Sequence, residues 1–209
     1  MSGQAPTRIV VIRHGETDWN AGSRLQGQRD IPLNALGLEQ AARLADALCD
    51  EGLDAVIASD LERAAQTARA LAAPLRLPVQ LDRGLRERAF GVLEGLTYDE
   101  ITQRWPDAAR RWRARDPEFA ADGGETLAAF QARSVAAAER IALALAGRCI
   151  ALVTHGGVLD ALYRAATRLA PDAPRTWMLG NASINRLLHT PQGFALVGWN
   201  DCRHLDDLG

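Results

Sequence analysis

Two histidines and two arginines follow short apolar runs, in a spacing that could gather them around one phosphate group. Arg13 and His14 directly follow the first apolar run, and His155 follows a later one. Arg63 comes four residues after Ser59, which follows another such run. Guanidinium groups match the oxygens of a phosphate, and a neutral imidazole can attack phosphorus. These residue types therefore predict phosphoryl transfer through a phosphohistidine.

The charges around the nucleophile should set its protonation state. Nearby positive charge lowers the pKa of a histidine. We expect the two arginines and a cationic His155 to keep His14 neutral near pH 7. The backbone N–H groups of Gly156 and Gly157, where a helix is predicted to begin, should add donors aimed at an anion.

Phosphoryl transfer to water also needs a general acid for the leaving oxygen. Three carboxylates lie close together after the third predicted strand, namely Asp82, Glu87 and Glu94. Their spacing alone does not choose among them.

The elements that must position these residues alternate between strands and helices. Short β-branched or apolar runs predict strands at residues 8–12, 55–58, 79–81, 149–153, 184–189 and 194–199. Helical periodicity covers residues 38–49, 61–71, 97–115 with a break at Pro106, 125–146 and 158–169. Asn34 and Asp60 are candidate caps, while Gly52 and Pro74 are candidate stops. Such alternation predicts an α/β sheet covered by helices on both faces, which binds ligands beyond the carboxyl ends of its strands.

Bulk composition limits the classes of partner. The chain has 209 residues, of which 47% are hydrophobic and 24% charged, and its net charge is −2. We expect one domain spanning residues 1–209, with a loose tail at 1–6. The balanced charge argues against nucleic-acid and membrane-surface binding, and the apolar runs are too short to span a bilayer. Three cysteines without C-x-x-C spacing and the absence of a signal-peptide pattern predict reduced thiols in a cytoplasmic protein.

Six segments together resemble the histidine phosphatase superfamily, the phosphoglycerate mutase-like proteins. The first reads Arg-His-Gly-Glu-Thr followed by Trp-Asn, and the last reads Thr-His-Gly-Gly. The segments are residues 13–20, 24–37, 59–68, 85–95, 123–126 and 154–157. The resemblance covers nearly the whole chain and implies a three-layer α/β/α sandwich with a mostly parallel central sheet. It also implies catalysis without a metal.

The resemblance assigns a role to each matching residue. His14 would accept the phosphoryl group, and Glu87 would donate the proton, which resolves the choice of acid. The residues that would bind the phosphoryl group and its transition state are Arg13, Arg63 and His155. Other substrate contacts would come from Asn20, Gln26, Gly27 and Gly156.

Within this family the sequence favours a phosphatase acting on a small phosphorylated metabolite. Mutases usually carry a lysine where Tyr98 stands and a tyrosine where Phe90 stands, although Arg88 retains their Glu-Arg pair. The alternative is a cofactor-dependent phosphoglycerate mutase, which alone would need priming by a bisphosphoglycerate. A second alternative is a non-catalytic phosphate-binding regulatory protein, but such proteins normally lose a catalytic group. The arginine-rich residues 97–125 could form a lid over the pocket, and a homodimer is possible.

Overall fold

The computed structural model describes residues 5–208, and six strands of this region form one sheet. The strands are β1 (Thr7–Arg13), β2 (Ala55–Ala58), β3 (Val79–Leu81), β4 (Cys149–Thr154), β5 (Ile184–Thr190) and β6 (Gly193–Asp201). Their order is β3-β2-β4-β1-β5-β6. Strands β1 to β4 are mutually parallel. Strand β5 runs antiparallel to β1, and β6 runs antiparallel to β5. The predicted mostly parallel sheet is therefore confirmed. Residues 1–4 of the expected tail lie outside the described residues.

Seven α-helices connect and flank these strands in the described region. They are α1 (Asp18–Ala21), α2 (Ala35–Ala47), α3 (Glu62–Leu75), α4 (Tyr98–Arg104), α5 (Pro106–Arg113), α6 (Leu127–Ala144) and α7 (Gly156–Thr167). Asn34 caps α2 as predicted, with its side chain accepting from the N–H of Gly37. Between residues 5 and 208, no helix is both long enough and apolar enough to cross a membrane.

The alternating side chains of β1 show how the three layers form. Ile9 and Val11 point into a cluster shared with α6 and α7, and Val10 and Ile12 point into a cluster shared with α2 and α3. Successive side chains of a strand face opposite sides of a sheet, so an apolar strand needs cover on both. The sheet is therefore covered on both faces, as the three-layer prediction requires.

Two details of helix α3 differ from the sequence prediction. Asp60 does not cap α3, because its carboxylate forms two 2.6 Å hydrogen bonds with Arg86. Asp30 from the loop before α2 accepts from the first N–H of α3 instead. Pro74 lies inside the last turn of α3. Because proline has no N–H, it removes one backbone hydrogen bond there, just before the helix ends.

Two loops also differ from expectation. The stretch between β1 and α2, for which no helix was predicted, contains the short helix α1, whose first turn Thr17 and Asn20 cap with a capping box. Helix α2 ends at Ala47 rather than at the predicted residue 49, because residues 48–51 already form a turn. Gly52 instead follows that turn with a φ of +71°, a conformation that favours glycine.

A third apolar cluster lies outside the two sheet-facing layers. It joins α4 and α5 to the chain before them, with Leu93, Ile101, Ala109 and Phe119 at its centre. The predicted break is confirmed, since Pro106 is the first residue of α5. Residues 97–125 thus share a separate apolar core with Leu25, Phe90 and Leu93, and their role as a lid stays a prediction.

Candidate active site

The carboxyl ends of three neighbouring parallel strands define one edge of the sheet. His14 continues β1 and donates its backbone N–H to Thr154 at 2.9 Å, and Ser59 continues β2 and donates to Val153 at 2.9 Å. His155 follows β4, which lies between them. The fold therefore brings the residues after each strand into one crevice, the position where open α/β sheets bind ligands.

Hydrogen bonding fixes the tautomer of His14. Its Nδ1 lies 2.7 Å from the carbonyl oxygen of Gly15. A carbonyl can only accept, so Nδ1 carries the proton and, in the neutral ring, Nε2 carries the lone pair. Burial, assisted by the charges of Arg63 and Arg13, holds the pKa of His14 well below its ordinary value. The predicted neutral imidazole with a free nucleophilic nitrogen therefore agrees with the geometry.

His155 lies directly behind His14, with 5.2 Å between the ring centroids. Its Nε2 is 2.8 Å from Oγ of Ser59, and its Nδ1 has no partner among residues 5–208. Burial and the charge of Arg63 lower the pKa of His155 well below its ordinary value. The expectation of a cationic His155 is therefore wrong, because complete burial beside two guanidinium groups opposes a further charge.

The two arginines are held by backbone carbonyl groups. Arg63 donates to the carbonyl oxygens of Gly27 at 2.7 Å and Arg29 at 2.8 Å, and Arg13 donates to that of Leu179. Burial lowers the pKa of Arg63 to about 10 and lowers that of Arg13, so both remain charged at pH 7. In each arginine, Nε is buried and has no partner in the part of the chain described. Carbonyl dipoles orient these cations without neutralising them.

A pocket of about 170 Å³ opens beside His14. Eight of the nine predicted site residues line it, namely Arg13, His14, Asn20, Gln26, Gly27, Arg63, Glu87 and Gly156. His155 is the ninth, and it lies fully buried behind the wall. Sequence reasoning did not include Arg24, Leu25 and Phe90 in the site, although they complete the wall. Their position inside the motif segments 24–37 and 85–95 was the available signal.

Of the three candidate acids, only Glu87 lines this pocket. Its Oε1 accepts from the N–H of Arg88 at 2.8 Å, and its Oε2 accepts from the N–H of Gly157 at 2.9 Å. The N–H of Gly157 thus holds the carboxylate rather than an anionic ligand, which corrects the expectation for that donor. Asp82 instead pairs with Arg140. Glu94 accepts from the N–H groups of Gln28 and Phe90, both at 3.0 Å.

The amide of Asn20 is oriented toward donation. Its Oδ1 accepts from the N–H of Thr17 at 3.1 Å, which leaves Nδ2 as the free donor on the pocket wall. Asn181, which sequence reasoning missed, braces the same loop by donating to the carbonyl oxygens of His14 at 3.1 Å and Gly15 at 3.3 Å. Nothing local in the sequence pointed to Asn181, because it is 167 residues from His14.

These features define an α/β protein with a site at the carboxyl ends of its parallel strands. The site contains a neutral imidazole, two buried guanidinium groups and a carboxylate. Such a site suits the binding and transfer of a phosphoryl group. Within residues 5–208, no group of three or more histidine, cysteine or acidic side chains could hold a metal ion.

Comparison with known proteins agrees with this class. Residues 9–202 match the model of the histidine phosphatase superfamily (branch 1), and the chain belongs to that superfamily. It is 38% identical to phosphoglycerate mutase-like protein 4 of Arabidopsis thaliana, over 96% of this chain and 88% of that protein. It is 37% identical to the metal-independent phosphoserine phosphatase of Arabidopsis thaliana, over 97% of this chain and 85% of that protein.

A solved structure is similar as well. The mycobacterial glucosyl-3-phosphoglycerate phosphatase, in complex with VO3, superimposes with a TM-score of 0.80 at 35% identity. The match covers 92% of this chain and 98% of that chain. The family and fold expected from the motif segments are both confirmed.

Proposed function

We propose that this protein is a phosphomonoesterase that hydrolyses a small phosphorylated metabolite through a phosphohistidine on His14. The observation that carries the proposal is the arrangement of the pocket. The tautomer of His14 leaves Nε2 with its lone pair, while Arg13, Arg63 and Glu87 line the same wall. A nucleophile, two anion-binding cations and a potential proton donor are therefore present together.

The first step is attack on phosphorus by Nε2 of His14. The bond from phosphorus to the ester oxygen breaks, and Glu87 gives its proton to that oxygen as the alcohol leaves. The two arginines, Asn20 and His155 stabilise the phosphoryl oxygens as charge shifts toward the leaving group. In the second step the carboxylate of Glu87 takes a proton from water, water attacks phosphorus, and the bond to His14 breaks to release phosphate.

The surroundings of the pocket favour a hydrolase over a mutase. A mutase must protect its phosphoenzyme from water and return the phosphoryl group to a reoriented substrate. Arg88, the residue retained from the mutase pattern, points away and donates to the carbonyl oxygens of Phe119 and Glu125. Tyr98 packs against Trp112 at 5.8 Å between ring centroids, inside the third apolar cluster. Neither residue lines the pocket that contains His14.

The named activities of relatives support the finer parts of the proposal. One relative is a metal-independent phosphoserine phosphatase, and a similar structure is a glucosyl-3-phosphoglycerate phosphatase. We propose that this chain likewise works without a metal or an organic cofactor, as one domain. The cytoplasmic location and the possible homodimer stay predictions.

The test is hydrolysis of nitrophenyl phosphate by the purified protein in excess EDTA. We expect phosphate release by the wild type and loss of turnover in His14→Ala. His189→Ala is the matched control, because His189 pairs with Thr7 at the opposite end of β1. Turnover that survives His14→Ala, or that needs an added metal, would contradict the proposal. A parallel assay of phosphoglycerate isomerisation distinguishes the mutase alternative.

A further inference from the structure

A neutral His155 can bind a phosphoryl oxygen only through the ring nitrogen that carries its proton. A phosphoryl oxygen accepts hydrogen bonds, so a ring nitrogen that bears a lone pair would repel it. The hydrogen bonds of the ring decide which nitrogen is protonated. The partner of His155 that could decide this is Ser59, whose Oγ lies 2.8 Å from Nε2.

Ser59 is fixed in place by the sheet and by helix α3. Its backbone N–H donates to the carbonyl oxygen of Val153 at 2.9 Å, where β2 runs beside β4. The residue is fully buried, and its Oγ accepts from the N–H of Leu61 at 3.3 Å, just before α3 begins. The hydroxyl group is therefore held against His155 and shielded from solvent.

The hydrogen bond between Ser59 and His155 can run in either direction, and the two directions leave different groups unpaired. If Nε2 donated to Oγ, two buried groups would lack partners, namely the hydroxyl proton of Ser59 and the lone pair of Nδ1. If the hydroxyl donates to Nε2, only the N–H at Nδ1 lacks one. Apart from the N–H of Leu61, nothing else in residues 5–208 hydrogen bonds with Oγ or Nδ1. Buried polar groups are nearly always paired, so donation by Ser59 is favoured.

The N–H at Nδ1 lies close to the phosphoryl pocket. The ring centroids of His155 and His14 are 5.2 Å apart, and Gly156, which follows His155, lines the pocket that contains His14. Both histidines also lie near the same two guanidinium groups, because Arg63 and Arg13 lower the pKa of each. A phosphoryl group under attack by His14 would supply the acceptor that this buried N–H lacks.

We infer that Ser59 is a positioning residue, which donates to Nε2 of His155 and so directs the ring proton to Nδ1 for donation to a phosphoryl oxygen. The inference rests on the proposed phosphatase function. Ser59 acts only through His155 and does not line the pocket. The tautomer of His14 is set by a backbone carbonyl group instead. Replacement of Ser59 should therefore remove control of one histidine and leave the other unchanged.

NMR spectroscopy of the 15N-labelled protein tests the tautomer directly, because a protonated ring nitrogen and one with a lone pair have well-separated shifts. The signals of His155 are identified by their loss in His155→Ala. We expect the wild type at pH 7.5 to carry the proton on Nδ1, and inorganic phosphate to shift the signal of that N–H. In Ser59→Ala the proton should be shared between both nitrogens. A wild-type proton on Nε2, or one that stays wholly on Nδ1 in Ser59→Ala, would overturn the inference.

Steady-state kinetics tests the consequence for catalysis. Ser59→Ala should lower kcat/KM about tenfold for nitrophenyl phosphate and for an alkyl phosphate alike, since both present the same phosphoryl group to His155. Ser59→Thr, which keeps the hydroxyl group, should retain most of the activity. The matched control is Ser134→Ala, which removes another fully buried hydroxyl, one that donates to the carbonyl oxygen of Phe130 at 2.9 Å within α6. This control should change kcat/KM less than twofold.

A double mutant separates a positioning role from a general effect on the fold. If Ser59 acts through His155, Ser59→Ala should cost less than twofold in a His155→Ala background, because residues that act together are not additive. A further tenfold loss in that background would overturn the inference, and so would an unchanged kcat/KM in Ser59→Ala alone. The tautomer measurement needs no turnover, so failure of the proposed function is distinguishable. Its sign would be a wild type that does not hydrolyse nitrophenyl phosphate at all.

Discussion

The phosphoryl side and the leaving-group side of the active site are built in different ways. On the phosphoryl side, His14 is 3% exposed and Arg63 and His155 are fully buried, at the ends or beside the ends of core strands. On the leaving-group side, Arg24 is exposed and lies on the loop before α2. Every phosphate monoester presents the same phosphoryl group but a different alcohol. The comparison teaches that the shared group meets a rigid, buried site, whereas the variable group meets adaptable surface residues.

The largest expected effect comes from the phosphoryl side of the active site. Arg63→Ala should lower kcat/KM about 10³-fold for every ester, because it removes a buried donor to the transferring phosphoryl group. Steady-state kinetics on nitrophenyl phosphate and on an alkyl phosphate measures this loss. Arg69→Ala is the control, since Arg69 lies on the same helix but is exposed and pairs with Glu62. A loss confined to one of the two esters would contradict the proposal that Arg63 contacts the phosphoryl group that all esters share.

Glu87 lies at the boundary, and its replacement should separate substrates by leaving group. Glu87→Gln should reduce turnover of alkyl phosphates about 10²-fold to 10³-fold, as expected for loss of a general acid. Nitrophenyl phosphate should lose less than about tenfold, because its leaving group needs little protonation. Measured kcat values on the two esters test this. Equal losses on both would exclude Glu87 as the proton donor.

The buried histidines should make stability depend on pH. In the unfolded chain each imidazole takes up a proton below about pH 6.5, whereas His14 and His155 have strongly lowered pKa values when folded. The free energy of unfolding should therefore fall as pH falls from 7.5 to 5.5, by about 1.4 kcal/mol for each buried histidine. Urea unfolding should show that His155→Asn loses about 1.4 kcal/mol less than the wild type over this interval. An unchanged pH dependence would mean that His155 is not buried in its neutral form.

The smallest expected effect lies on the leaving-group side. Phe90 lines the pocket and packs against Trp112 at 5.5 Å between ring centroids. Phe90→Leu should change kcat/KM by no more than about tenfold, and by different factors for different alcohols, as small changes in apolar contact do. The inhibition constant of inorganic phosphate should stay within twofold of the wild-type value, because phosphate occupies only the phosphoryl side. A large change in phosphate inhibition would show that the two sides are not independent.

The same division explains how much the sequence could predict. The strand-end residues follow from local patterns, since β-branched runs mark β1 and β4 and parallel neighbours bring Arg13 level with Thr154. The roles of these residues needed the family resemblance in addition. Distant contacts left no local pattern, which is why Asn181 and the capping of α3 by Asp30 were missed.

Charge states were the other limit of sequence reasoning. Residue types indicated that positive charge would surround His14, and the direction of its pKa shift agrees. The same reasoning made His155 cationic, because a sequence shows which charges are near but not how deeply each group is buried. Burial is the largest influence on the pKa of both histidines.

The central claim is that His14 carries the phosphoryl group during turnover. The most direct measurement is peptide mass spectrometry of enzyme quenched in alkali during hydrolysis of nitrophenyl phosphate, since phosphohistidine is labile in acid. We predict one acid-labile phosphate on the peptide that contains His14 and none in His14→Ala. Phosphate on the peptide that contains His155, or steady turnover by His14→Ala without any phosphoenzyme, would contradict the account.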